Sequence, residues 1–139
     1  KGGLPAGILT SIDVITPNET ETAQILGWKP ESRDDGLKAA RELRSRGVAT
    51  AIVKLGGKGL AVSSASAEGM LEPFKVKAID TVAAGDRFNG GLAHALEQKM
   101  PLTDALRSAA ACGALSTTRK GASAAAPTKA EVEAFLARI

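Results

Sequence analysis

The chain has 139 residues, which is enough for one packed domain and too few for two of ordinary size. Hydrophobic residues make up 44% of it and charged residues 24%, a balance that excludes a disordered or fibrous protein. The formal net charge of +3 is small, and the Lys and Arg residues are scattered without interleaved aromatic residues, so no nucleic-acid partner is expected.

Cysteine content and hydropathy bear on the compartment. Cys112 is the single cysteine, so an internal disulfide and a cysteine-based metal site are both excluded, which suits a reducing environment. No apolar run approaches the roughly 20 residues that a membrane-spanning helix needs, and KGGLPAG at the N-terminus has no signal-peptide pattern. We therefore expect a cytoplasmic protein without a membrane partner.

The first elements in chain order are a strand and a capped helix. The apolar run IDVIT at 12–16, closed by Pro17, predicts a buried strand that ends in a turn. Asn18 is suited to cap a helix over ETETAQIL, residues 19–26, because two glutamates fall in the first turn. Gly27 is predicted to end this helix.

A second helix, a hairpin and a weaker strand follow. The helix is predicted to start at Asp34 or Asp35 and to stop at Gly47. TAIVKL at 50–55 predicts a buried strand, which GGKG at 56–59 turns into LAVSS as a hairpin. A weaker strand pattern covers residues 72–79.

The last part of the chain is predicted to be helical. Apolar residues recur at helical spacing from Gly85 to Lys99, and two more helices are expected at about 102–117 and 128–138, with Pro127 at the start of the last. Strands followed and flanked by helices predict an α/β fold, a sheet with helices on its faces.

The stretch DTVAAGDRFNGG at 80–91 carries the chemistry. Ala83, Ala84 and Gly85 are small enough for an anion to approach the backbone where the helix begins, and the N–H groups of the first helical turn point towards such an anion. Asp86 would repel a resting phosphate but could accept a hydroxyl proton while those N–H groups stabilise a transferring phosphoryl group. The alternative is structural: Asp86 complements the helix dipole, and Asp80 caps a turn.

This stretch resembles the second signature of the ribokinase family of carbohydrate kinases (the PfkB group), which runs Asp-Thr-x-[Gly/Ala]-Ala-Gly-Asp-x-Phe. Three further segments resemble the family in the same order: ITPNETE at 15–21, KLGGKG at 54–59 and TRKGA at 118–122. The resemblance implies a ribokinase-like three-layer α/β sandwich. It covers nearly all of this chain but only about the C-terminal half of a family member, without the small lid and most of the sugar-binding residues.

The resemblance also implies an ATP-dependent sugar kinase that uses Mg²⁺ and a monovalent cation such as K⁺. Asp86 would be the catalytic base, and the N–H groups of Ala83, Ala84 and Gly85 the anion hole. The resemblance implies that six residues bind the nucleotide: Asn18, Glu21, Lys54, Gly56, Gly59 and Ala110. Of these, Asn18 and Glu21 would lie near the phosphates and Mg²⁺. The implied cation ligands are the Asp80 carboxylate and the carbonyls of Val82, Ser116, Arg119 and Gly121.

Several positions depart from the family pattern. Arg87 stands where Thr is usual, and it would either neutralise phosphate charge or point to solvent. Lys54 replaces a common neutral Thr, with the same two interpretations. Ala125 lacks the hydroxyl of a further cation ligand, which would weaken cation binding. The capping interpretation of Asn18 and Glu21 also remains open.

The expected activity is transfer of the γ-phosphate of ATP to a primary hydroxyl of a pentose, with D-ribose as the first candidate. A chain that lacks the other half would turn over poorly and would associate with itself or with that half. The alternatives are a non-catalytic nucleotide-binding module and a kinase of the same family that acts on another sugar or a nucleoside. An NAD-binding Rossmann domain is excluded, because no G-x-G-x-x-G follows the first strand.

Overall fold

The structure is a computed structural model of the chain and describes residues 9, 12–74, 76, 84–118 and 127–137. The described residues divide into two compact units, the first ending at Pro73 and the second beginning at Phe74. The first unit contains a sheet and two helices, and the second contains three helices.

The sheet of the first unit has four strands in the order β1 (Val14–Ile15), β2 (Thr50–Lys54), β3 (Leu60–Ser63) and β4 (Glu68–Leu71). Strands β1 and β2 run parallel, with Val14 opposite Thr50. The pairs β2–β3 and β3–β4 are antiparallel, so GGKG does connect a hairpin as predicted. The sheet is therefore mixed.

Helix α1 (Glu19–Leu26) has the predicted bounds and caps. Asn18 is its N-cap, and Gly27 ends it in the left-handed conformation with φ 87°. Helix α2 (Arg33–Ser45) starts one or two residues before the predicted position, since Ser32 is its N-cap and accepts a hydrogen bond from the Asp35 N–H. Within the segment SRDD, Ser32 rather than an aspartate caps the helix, because its hydroxyl oxygen reaches the N–H of the residue three positions later.

The core of the first unit lies between α1, α2 and one face of β2. Three alternate residues of β2 and the position after it are buried: Ala51, Val53 and Leu55. They belong to one cluster with buried residues of α1 and α2, namely Leu26, Ala39, Ala40 and Leu43. Because side chains alternate along a strand, Ile52 and Lys54 lie on the opposite face of the sheet. Ile52 is fully buried there and Lys54 is half-buried.

The strand predicted at 72–79 is not present at residues 72–74 and 76, and residues 75 and 77–79 lie outside the described residues. The structure has a strand just before it, β4 at Glu68–Leu71, which the sequence analysis did not predict. The EGML segment is a poor strand sequence by itself, but it pairs along the whole of β3. Pairing with a neighbour thus overrides local propensity.

A surface ion pair joins α2 to β4. The Arg41 guanidinium donates to the Glu68 carboxylate at 2.8 Å, and the Ser63 hydroxyl donates to the same carboxylate at 2.7 Å. The hydrogen bond from Arg41, and to a lesser extent the one from Ser63, lower the pKa of Glu68. The same bond to Glu68 raises the pKa of Arg41. Both side chains are exposed, so the pair contributes little to stability.

The second unit contains α3 (Ala84–Glu97), α4 (Leu102–Thr117) and α5 (Lys129–Ala137), within one or two residues of the predicted helices. Helices α3 and α4 pack closely through small residues: a Cβ at Gly91 would lie 3.3 Å from both Ala109 Cα and Cys112 Cβ. Helix α5 packs on α4 through Val132 and Phe135, and Phe135 meets Phe74 edge to face at 5.3 Å. Among the described residues, no helix is long and apolar enough to cross a membrane.

Candidate active site

The carboxyl ends of β1 and β2 bring two predicted site residues together. Lys54 forms an isolated parallel bridge with Asn18, and its N–H donates to the Pro17 carbonyl at 2.9 Å. Parallel neighbouring strands end at the same edge of a sheet, where ligands of open α/β sheets gather. Asn18, Glu21 and Lys54 are thus close along this edge.

Asn18 and Glu21 form a capping box. The Glu21 N–H donates to Asn18 Oδ1 at 2.8 Å, and the Asn18 N–H donates to Glu21 Oε1 at 2.9 Å. The capping interpretation is therefore correct, but both residues are exposed and the two bonds use one oxygen of each side chain. Capping orients the Asn18 amide and the second Glu21 oxygen at the helix start without excluding a role towards a ligand.

The glycines after β2 have different steric demands. Residues Gly56–Lys58 form a 3₁₀ turn, and both Gly56 (φ 58°) and Gly59 (φ 97°) have left-handed backbone conformations. A Cβ at Gly59 would lie 2.1 Å from the Leu71 carbonyl oxygen, whereas one at Gly56 would meet nothing within 4 Å. The exposed turn at Gly56 leaves the backbone beside Lys54 open to a ligand.

Helix α3 starts one residue before the predicted position. Ala84 is its first residue, and Gly85 and Asp86 follow in the first turn, both exposed. N–H groups in the first turn of a helix have no carbonyl partner inside it and attract an anion. Gly113 of α4 supports this end, because a Cβ there would lie 3.2 Å from the Ala84 carbonyl oxygen. Ala83 lies outside the described residues.

A groove of about 820 Å³ in the second unit begins beside Asp86. It runs along one side of α3, where Arg87 and His94 line it, and its lining continues on α4 and α5 with residues such as Arg107 and Lys129. Arg87 is half-buried in the lining rather than fully in solvent. Sequence reasoning missed this groove, although Arg87, Gly91, His94 and Gln98 recur every three or four residues along one helix face.

The proposed monovalent-cation site is described only in part. Ser116 lies in the last turn of α4, where the carbonyl groups have no N–H partner within the helix. Its hydroxyl donates to the Gly113 carbonyl at 2.7 Å. Asp80, Val82, Arg119, Gly121 and Ala125 lie outside the described residues. Ala110 is half-buried on α4 and offers only an apolar methyl group.

The donor chemistry on the first unit fits a magnesium–nucleotide complex. In the described ranges no three His, Cys, Asp or Glu residues cluster as a metal site. Mg²⁺ bound with a nucleotide keeps several waters and uses one or two carboxylates, a demand that the exposed Glu21 carboxylate at the helix start can meet.

The fold and the residues described above define an α/β protein with an exposed carboxylate in the first turn of α3. The model of the pfkB family of carbohydrate kinases matches residues 4–129, and the chain belongs to this family. The ribokinase of Haemophilus influenzae is 40% identical over 129 residues, which are 93% of this chain and 42% of the relative. A probable fructokinase of Arabidopsis thaliana is 44% identical over 92 residues, which are 61% of this chain and 28% of the relative.

The chain also resembles solved structures. The structure of Arabidopsis thaliana ribokinase complexed with ribose and ATP matches with a TM-score of 0.83 and 31% identity, over 96% of this chain and 44% of that one. The predicted ribokinase-like α/β fold is thus confirmed. The chain spans less than half the length of these relatives.

Proposed function

We propose that this chain is the nucleotide-binding and catalytic portion of an ATP-dependent sugar kinase. The γ-phosphate of ATP goes to a primary hydroxyl of a pentose, with D-ribose as the first candidate. The observation that carries the proposal is Asp86, exposed in the first turn of α3 beside N–H groups that attract an anion, in a member of a carbohydrate kinase family. The matched ribokinase structure with ribose and ATP supports both substrates.

Asp86 acts as the general base in this proposal. Its carboxylate accepts the proton of the sugar hydroxyl while the hydroxyl oxygen forms a bond to the γ-phosphorus. The bond from the γ-phosphorus to the bridging oxygen breaks, and ADP leaves with the electron pair. The backbone N–H groups of Ala83, Ala84 and Gly85 stabilise the charge on the transferring group.

In the first unit, the nucleotide lies along the edge formed by Asn18, Glu21, Lys54 and the turn at Gly56 and Gly59. When bound, Mg²⁺ offsets the phosphate charge. A monovalent cation such as K⁺ would use the Asp80 carboxylate and the carbonyls named above, Ser116 among them. The capping box holds Asn18 and Glu21 in one orientation, which reduces the entropy lost when the nucleotide binds.

The rest of the catalytic apparatus belongs, in this proposal, to the part of the family fold that this chain does not span. That part would supply the lid and most sugar contacts. Positioning and water exclusion provide much of the rate in phosphoryl transfer, so the 139-residue chain alone should bind nucleotide and turn over sugar poorly. A hexose is the second candidate acceptor, because the similarity to a probable fructokinase favours it.

The test uses the longest form of the protein that its source expresses and measures ATP-dependent phosphorylation of a sugar panel. Asp86→Asn should lower kcat by about a thousandfold while MgATP affinity stays within about threefold, because general-base catalysis is lost and the ground state is kept. Asp34→Asn is the matched control, since Asp34 is also an exposed carboxylate in the first turn of a helix. Its kcat should not change.

The panel also separates the alternatives. Ribose turnover that depends on Asp86 supports the pentose kinase, and preferred turnover of a hexose supports the second acceptor. MgATP binding without turnover of any sugar would support a nucleotide-binding module instead. Full activity in Asp86→Asn would exclude the proposed base.

A further inference from the structure

Gly113 is a buried glycine inside α4 that the helix itself does not require. Its backbone is not left-handed, so an alanine could adopt the same conformation. Glycine inside a helix is less favourable than alanine, because it loses more backbone freedom on folding. The physical reason for a glycine at this position therefore lies in the space around it.

The space around Gly113 is filled by the first turn of α3. A Cβ at Gly113 would lie 3.2 Å from the Ala84 carbonyl oxygen, 3.6 Å from Phe88 Cβ and 3.8 Å from the Phe88 nitrogen. In an α-helix the N–H of residue 88 pairs with the carbonyl of residue 84. Gly113 thus approaches both partners of a backbone hydrogen bond at the start of α3, the turn that also contains Asp86.

Asp86 lies on a different side of this turn from Gly113. Ala84, Phe88 and Gly91 follow one another at intervals of four and three residues, so they share the face of α3 that contacts α4. Asp86 is two residues after Ala84, which rotates it by about 200° around the helix axis, and it is exposed. Gly113 can therefore act on Asp86 only through the backbone of the turn.

We infer that Gly113 is a positioning residue for phosphoryl transfer, because it sets where the first turn of α3 holds the Asp86 carboxylate and the N–H groups of the anion hole. This inference rests on the proposed function. A Cβ at 3.2 Å from a carbonyl oxygen is closer than ordinary van der Waals contact, so a side chain at Gly113 would displace the turn by a few tenths of an ångström. Catalysis by positioning and by fixed hydrogen-bond donors is sensitive to small displacements.

Gly91 provides a matched comparison at the same contact between α3 and α4. A Cβ at Gly91 would lie 3.3 Å from both Ala109 Cα and Cys112 Cβ, which is nearly as tight as the contact at Gly113. Both glycines are inside a helix, so a change to alanine raises the helix propensity equally. Gly91 is about two turns beyond Ala84. A side chain there strains the packing of the two helices away from the first turn.

The first experiment measures steady-state kinetics of the longest form of the protein that its source expresses, with the sugar that it phosphorylates fastest. Gly113→Ala should lower kcat by about tenfold and change the KM for MgATP by less than about threefold, because contacts made in the transition state are displaced and the proposed nucleotide contacts are kept. Gly91→Ala should keep kcat within about twofold of the unmodified protein. Equal kcat values in the two variants would overturn the inference, while the proposed function would stand if Asp86→Asn is still inactive.

The second experiment measures the position of the turn without turnover, by ¹H–¹⁵N correlation spectra of the 139-residue chain. The amide resonances of Gly85 and Asp86 should shift in Gly113→Ala and stay in place in Gly91→Ala. Unshifted resonances in Gly113→Ala would overturn the inference whatever the kinetics. If no form of the protein phosphorylates a sugar, the proposed function fails and the catalytic role of Gly113 fails with it.

Thermal melting of both variants checks the fold. The two melting temperatures should agree within about 4 °C, because the gain in helix propensity and the strain at the contact are of the same kind in both. If Gly113→Ala fails to fold while Gly91→Ala folds, the contact at Gly113 serves the fold rather than the position of the turn, and the inference is overturned.

Discussion

Asn18 combines a structural and a proposed ligand role in one short side chain. Its Oδ1 caps α1, and the hydrogen bonds of the capping box do not use its Nδ2, the atom that is proposed to face the nucleotide. Aspartate retains the capping oxygen and changes the other group from a donor into a negative charge. Because the two roles use different atoms, a single substitution can separate them.

Asn18→Asp should keep the free energy of unfolding within about 0.5 kcal/mol, since Asp and Asn cap helices equally well. Its MgATP affinity should fall at least about tenfold, because a phosphate-facing donor becomes an anion. Asn18→Ala should lose about 1 kcal/mol of stability. Urea unfolding and calorimetric titration measure the two effects.

Thr128→Ala is the control for this pair. Thr128 and Glu131 form another capping box, at the start of α5, with hydrogen bonds of 2.8 and 3.1 Å. Removing the Thr128 hydroxyl should lower the free energy of unfolding by about 1 kcal/mol and leave the MgATP affinity unchanged. Unchanged MgATP affinity in Asn18→Asp would show that Asn18 only caps the helix.

At the scale of elements, the β2–β3 hairpin depends on two glycines to different degrees. Gly59→Ala combines a left-handed backbone with a Cβ at 2.1 Å from the Leu71 carbonyl oxygen, so β4 would have to move. We expect a loss of at least about 3 kcal/mol, since strain and a steric clash add. In Gly56→Ala the new Cβ has no atom within 4 Å, so only the left-handed backbone is strained. The free energy of unfolding should therefore fall by about 1 kcal/mol.

Denaturant unfolding of the two glycine variants checks this difference. Equal losses would show that the hairpin relaxes around a side chain at Gly59. A larger loss at Gly56 would contradict the geometry of the turn. Both variants should retain the far-ultraviolet circular dichroism of α1 and α2, because the nearest atoms to a Cβ at Gly59 belong to Leu71 and Pro73 and a Cβ at Gly56 meets none.

Elements defined by local chemistry could be predicted from the sequence. Asn18 and Gly27 fix both ends of α1 because capping and a left-handed glycine act within one turn. β4 could not be placed, because the EGML segment becomes a strand only by pairing with β3. The helix start at Asp86 was predictable, whereas the groove of Arg87, His94 and Arg107 depends on how three helices pack.

At the scale of the whole molecule, association depends on the edge of the sheet at β1. β1 is at one edge of the described sheet and pairs only with β2. The Thr50 N–H donates to the Asp13 carbonyl at 2.8 Å, so the N–H and carbonyl of the next residue, Val14, point away from β2. An edge with outward N–H and carbonyl groups is a template for another strand. The relatives, more than twice as long, have chain available to cover it.

We therefore expect the 139-residue chain to self-associate through β1. Sedimentation velocity should show a weight-average mass that rises with concentration. Val14→Pro removes the outward N–H without removing a bond to β2, so it should shift the chain towards monomer, since proline blocks strand pairing. Val14→Ala, which trims the same half-buried side chain and keeps the N–H, should associate like the unmodified chain. A monodisperse monomer at every concentration would show that this edge is already covered, and equal association in Val14→Pro would place the contact elsewhere.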